Sequence, residues 1–160
     1  MATPDGYSAH FSRRELLFSE TAVRHGIDNT PGPLIERNLV RLCTDLLEPI
    51  RQHFGAIAIS SGYRCPALNA AVRGSKTSAH VEGRAADLRP VEPTISLTDV
   101  VRWVQASGLP YDQVIYEFGS WVHVAVAASD GAARHQALMI FEPEKYAAFD
   151  PANIPAERIA

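Results

Sequence analysis

Apolar positions recur with two different periods along the chain, and the period changes about a third of the way in. Ser12 and Glu15 form an S-x-x-E capping box, which predicts a helix from residue 13 to about residue 25. Gly26 and the run Asp28-Asn29-Thr30-Pro31-Gly32-Pro33 mark a loop. From Leu34 on, Ile35, Leu39, Leu42, Leu46 and Ile50 recur at intervals of four, three, four and four. That is one face of a single long helix, kinked near Pro49. Residues 56–60 then read as a buried strand, 66–73 as a short helix opened by Pro66, and 85–88 as a second strand. Ser96 and Asp99 cap a further helix closed by Gly108 and Pro110. Beyond it, 113–118 and 121–127 are hairpin strands around Gly119-Ser120, and 134–141 adds a third strand. Helices first and an antiparallel group later predict an α+β fold, a small antiparallel sheet with flanking helices. The expected layout is a flexible N-terminus over 1–10, one domain over 11–142, and a proline-bearing tail over 143–160 with little to pack.

A chain of 160 residues with 46% hydrophobic content is long enough to bury its own core, so one domain and a monomer are expected. A formal net charge of -3 argues against a broad nucleic-acid-binding surface. No run approaches the roughly 18 apolar residues of a membrane span. The opening MATPDGYSAHFSRREL lacks the basic-then-apolar order of a signal peptide, so synthesis in the cytoplasm without membrane insertion is expected. Cys43 and Cys65 are expected as reduced thiols.

Three residues sit where a packed core would not choose them: His80, Asp87 and His123. In 121–127 the valines at 122, 124 and 126 share one face, while His123 shares the other with small alanines. The valine face is the core candidate and the histidine face a pocket wall. Asp87 lies on the face of Ala85, and a carboxylate in so apolar a run requires a partner. Two imidazoles and a carboxylate make up the three protein ligands of a catalytic zinc site. On these residues alone, the competing reading is a surface His80, an Asp87 paired with an arginine, and an ordinary strand histidine.

The stretch Ser60-Ser61-Gly62-Tyr63-Arg64-Cys65-Pro66-Ala67-Leu68-Asn69, followed by Gly74-Ser75-Lys76-Thr77-Ser78-Ala79-His80-Val81-Glu82-Gly83-Arg84-Ala85-Ala86-Asp87, adds context. It resembles the zinc D-Ala-D-Ala carboxypeptidase/L,D-endopeptidase family of peptidoglycan peptidases, the M15 peptidase family. The family's S-x-H-x-x-G-x-A-x-D is matched by Ser78, His80, Gly83, Ala85 and Asp87, and its later Trp-x-His by Trp121-Val122-His123. The resemblance spans about His10 to Ala128. It implies Zn2+ held by His80, Asp87 and His123, and a Hedgehog/DD-peptidase-like fold. It also implies that Arg64 binds a substrate carboxylate, for which a planar guanidinium is suited. Ser78 is a second candidate for binding substrate, or for orienting a ligand.

Many family members carry a proton-shuttling glutamate three residues before the last histidine, where this chain has Ser120. Glu117 is the natural replacement as catalytic base, with Asp112 as an alternative. A two-residue turn at Gly119-Ser120 would point Glu117 away from His123; a three-residue turn would bring it to the same face. Tyr63 and Trp121 are open between cleft wall and core, and Cys65 is expected to pack rather than bind metal. The function expected is zinc-dependent hydrolysis of peptidoglycan stem peptides, by a carboxypeptidase or an endopeptidase. Action on the wall without an export signal suggests a phage endolysin released through a holin. The alternatives are a non-catalytic zinc module and a cytoplasmic D-amino-acid dipeptidase.

Overall fold

In the computed structural model, which describes residues 5–158, a helical first third packs on one face of a six-stranded sheet. The helices α1 (Arg13–Leu17), α2 (Glu20–His25), α3 (Pro33–Leu42) and α4 (Glu48–Phe54) precede β1 (Ile57–Ser61) and α5 (Pro66–Ala71). There follow β2 (Ala85–Pro90), α6 (Leu97–Ala106), β3 (Tyr111–Glu117), β4 (Trp121–Val126), β5 (Gln136–Ile140) and β6 (Tyr146–Ala148). Across the sheet the order is β1-β2-β4-β3-β5-β6. Every neighbouring pair is antiparallel except β3 with β5. The fold is α+β, as the order of periods predicts.

The two faces of the sheet differ as the alternation in 121–127 requires. Val122, Val124 and Val126 join Leu88, Val114 and Tyr116 against Leu39, Leu42, Leu46, Leu47 and Ile50 of the helices, all buried. The opposite face carries Asp87, Ile115, Glu117 and His123 over buried Ala85 and Ala125. One face supplies the hydrophobic core and the other is left for chemistry.

Several expected boundaries move. The helix expected over 13–25 is two helices, because Phe18 and Ser19 turn extended and the Ser19 hydroxyl accepts the Ala22 N–H to start α2. The long amphipathic helix contains a π-helical turn over Cys43–Leu47 between α3 and α4. Pro49 has no N–H to offer the carbonyl four residues back, and the widened turn just before it takes up the misfit.

Both ends depart from the loose segments expected. Residues 1–4 lie outside the described residues, but Tyr7 and Ser8 are buried. Glu48 draws this segment in by accepting from the Ser8 hydroxyl at 2.6 Å and the His10 N–H at 2.8 Å. At the other end β6 pairs with β5, Ile154 is buried in the core, and the Tyr116 hydroxyl donates to the Arg158 carbonyl at 2.6 Å. A strand as short as β6 leaves little periodicity to read, which is why the sequence suggests a tail there.

Candidate metal centre and hydrolytic site

The site is built at the middle of the sheet. Asp87 on β2 is registered directly opposite His123 on β4, so the two side chains rise from the same face as neighbours. His80 arrives from outside the sheet on a short 3-10 turn, Ala79–Glu82. The Ser78 hydroxyl accepts the His80 N–H at 3.3 Å to open that turn, and Gly83, with φ +68°, closes it in the left-handed region. A Cβ on Gly83 would come within 2.7 Å of the Ile35 side chain, so the turn lies close against α3.

His80, Asp87 and His123 are 2%, 7% and 7% exposed and turn three donor atoms toward one point. His80 Nε2 lies 3.2 Å from His123 Nδ1 and 3.3 Å from Asp87 Oδ1, and His123 Nδ1 lies 3.0 Å from Asp87 Oδ1. Tetrahedral zinc with bonds of about 2.0–2.2 Å needs donors about 3.3–3.5 Å apart, close to these separations. The tautomer of His80 suits the same role. Its Nδ1 lies 2.7 Å from the Gly62 carbonyl, which can only accept, so Nδ1 carries the proton and Nε2 presents a lone pair. Lone pairs of nitrogen and oxygen converging in a buried place are what a divalent cation satisfies.

The electrostatics follow from burial set against proximity. Burial pushes the His80 imidazole toward its neutral form. Burial acts the same way on His123, but the hydrogen bond and charge of Asp87 outweigh it and raise its pKa. Burial would raise the Asp87 carboxyl, yet the two histidines hold it well below the usual carboxylate range.

Glu117 stands beside this cluster. The β3–β4 turn has three residues, Phe118 to Ser120, with Glu117 registered opposite Trp121 and Ile115 opposite His123. Phe118 and Gly119 both take positive φ, at 55° and 66°, to close it. The Glu117 side chain therefore shares the face of His123, with Oε1 4.0 Å from His123 Nδ1. Its Oε2 accepts the Trp121 indole N–H at 2.8 Å. Burial, reinforced by the charge of Asp87, raises the Glu117 pKa despite the pull of His123, Trp121 and Arg64. A carboxylate so tuned is suited to accept a proton and give it back. Ser120 stays within the turn, its hydroxyl 3.4 Å from the Phe118 carbonyl.

Arg64 follows β1 and its backbone N–H donates to the His80 carbonyl at 3.1 Å. Its Nη2 lies 3.5 Å from the Ser78 hydroxyl. Burial lowers its pKa while the charges of Asp87 and Glu117 act the other way. Asp112 is elsewhere: both its oxygens are taken by Arg134, at 3.0 Å from Nε and 2.7 Å from Nη2. Cys65 caps α5, its sulfur 3.5 Å from the Leu68 N–H, and both cysteines are free. Tyr63 belongs to the core.

Two contributors lacked a local signal in the sequence. Asn29, in a loop of turn-forming residues, donates to the Leu17 and Tyr63 carbonyls at 2.9 and 3.0 Å and accepts the Cys65 N–H at 2.7 Å. It thereby pins the segment bearing Arg64 to α1. The Gly62 carbonyl orients His80 from 18 residues away, and a backbone acceptor has no sequence signature.

A family model described as Peptidase M15 matches residues 9–125, a stretch that contains His80, Asp87, His123, Glu117 and Arg64. No curated protein matches the chain.

Proposed function

Since the chain belongs to the M15 peptidase family, we propose that it is a zinc-dependent hydrolase of peptide bonds in peptidoglycan stem peptides. The observation that carries this reading is the convergence of His80 Nε2, Asp87 Oδ1 and His123 Nδ1, with the Glu117 carboxylate 4.0 Å from the last. Zinc held by those three residues supplies Lewis acidity toward a peptide carbonyl and water. Glu117 then takes a proton from the attacking water and delivers it to the leaving nitrogen. The C–O bond forms as the water adds to the carbonyl, the C–N bond then breaks, and the water's second proton also passes to the nitrogen, giving a carboxylate and an ammonium group. Trp121 holds the Glu117 carboxylate in position through one oxygen, leaving the other for the proton.

Arg64, with Ser78 beside it, is assigned to a carboxylate of the substrate, since two parallel N–H groups match two oxygens. Among the described residues no helix is long and apolar enough to cross a membrane. Release to the wall through a phage holin belongs to the same proposal.

Mass spectrometry of defined muropeptides incubated with zinc-loaded protein, beside a chelated sample, tests the reading. Loss of one terminal alanine identifies a carboxypeptidase, and fragments from within the stem identify an endopeptidase. Muropeptides left intact by the zinc-loaded protein would overturn the wall substrate.

A further inference from the structure

The sheet continues beyond the residues that match the family model, and this continuation brings a side chain to the site. Glu117 on β3 is registered with Trp121 on one side and with Ile140 of β5 on the other, and Ile140 with Tyr146 of β6. Residues registered across neighbouring strands project from the same face. Trp121, Glu117, Ile140 and Tyr146 therefore form one row on the face that holds the metal ligands. The adjacent row runs from Asp87 and His123 through Ile115 and Leu138 to Ala148. Between Glu117 and β6 this face carries Ile115, Leu138, Ile140 and Ala148, all apolar, with Ile115 and Ile140 buried.

Tyr146 rises at the end of that apolar stretch with 52% of its surface exposed, a large aromatic side chain that the core does not cover. Burial of part of the ring and the charges of Glu117, Glu144 and Asp87 raise its phenol pKa. Arg64, with its Nη2 3.5 Å from the Ser78 hydroxyl, lies on the segment that follows β1, the opposite edge of the sheet. The hairpin carrying Tyr146 is held by the Lys145 N–H donating to the Glu142 carbonyl at 3.1 Å and by an ion pair between the same two side chains.

We infer that Tyr146 is a substrate-contacting residue. It forms the wall of the cleft opposite Arg64, and a peptide crosses the strands between the two over those apolar side chains. From β4 to β6 is three strand spacings, about 14 Å, the length of about four extended residues. The cleft on this side accordingly fits a peptide segment rather than a single amino acid. Tyr146 stands on β6, outside residues 9–125, at a place suited to setting which peptides bind. The inference takes the peptide-hydrolase reading as its premise.

The test is calorimetric titration of zinc-loaded Glu117→Gln protein, with and without Tyr146→Ala. The titrants are stem tri-, tetra- and pentapeptides and all-L alanine peptides of the same lengths. Metal content and melting temperature are read for every variant. Loss of one buried aromatic contact of about 1.4 kcal/mol predicts roughly tenfold weaker binding by Tyr146→Ala, and Tyr146→Phe, which keeps the ring, restores most of it. With Glu117 intact, Tyr146→Ala is expected to raise KM while kcat stays near that of the parent. Equal affinities for parent and Tyr146→Ala would overturn the role of Tyr146. So would a loss of zinc or of several degrees in melting temperature accompanying the weaker binding, since that assigns Tyr146 to structure. Binding of all-L peptides but of no stem peptide would overturn the wall substrate alone, and the Tyr146 comparison is then decided on the all-L peptides.

Discussion

Glu117 is a largely buried carboxylate whose two oxygens have different surroundings. Trp121 holds Oε2, while Oε1 faces His123 from 4.0 Å. Glu117→Gln keeps the shape and the acceptor but cannot take a proton. It should lower kcat by about 10²–10⁴ while zinc content, measured by atomic emission, stays at the parent value. Trp121→Phe removes the indole N–H and part of the ring but leaves the Glu117 carboxylate, so its effect on kcat should be smaller in the same assay. The thiols offer a separate check. Burial pushes the Cys43 thiol up to about 12, whereas Cys65 is partly exposed, so a thiol reagent should label Cys65 first in the native protein. Asp87's need for a partner was readable from the apolar run around it. The side of the sheet taken by Glu117 was not, because it depends on whether the turn after it has two residues or three.

The short turn from Ala79 to Glu82 shows how one local conformation controls a ligand. Gly83 closes that turn at φ +68°, and a Cβ there would meet both the left-handed backbone penalty and the Ile35 side chain at 2.7 Å. Gly83→Ala should cost about 1–3 kcal/mol in chemical denaturation and weaken metal affinity as well, because His80 shifts with the turn. The capping boxes at Ser12 and Ser96 start α1 and α6, and both are visible in sequence since all of their chemistry lies within four residues. The π-helical turn and the division of the first helix were not visible. They arise where a missing proline N–H or a competing serine cap meets packing from distant elements.

The sheet and helices together hold three titratable ligands in a cluster that the unfolded chain does not preserve. A metal ion bound by these three side chains would therefore be coupled to folding. Zinc at about 100 times its Kd should raise stability by about 2.7 kcal/mol, and chelation should lower the melting temperature by several degrees in calorimetry. The ion pair far from this centre gives an independent pH signature. Hydrogen bonds from Arg134, opposed by partial burial, hold the Asp112 carboxyl below its ordinary value. Its contribution to stability is fully present above the unfolded value of about 3.9 and is lost as pH falls through the lower folded value. The stability advantage of the parent over Asp112→Asn should thus be constant above about pH 5 and shrink below about pH 4. An advantage that grew on acidification would sink this assignment.

Much of this protein is written in short-range pattern. The 3.6-residue period of 35–50, the alternation of valines with His123 and the spacing of Ser78, His80, Gly83, Ala85 and Asp87 are local facts. They define the fold class, the core face and the residues of the candidate metal centre, because side-chain direction in helices and strands follows directly from sequence spacing. Other features exist only when distant strands align. These include the register that sets Glu117 beside His123, the Gly62 carbonyl that turns His80, and the row that brings Tyr146 to the same face. A one-residue change of register would send Glu117 and Tyr146 to the opposite face, and register is decided by turn geometry and by the packing of the whole sheet.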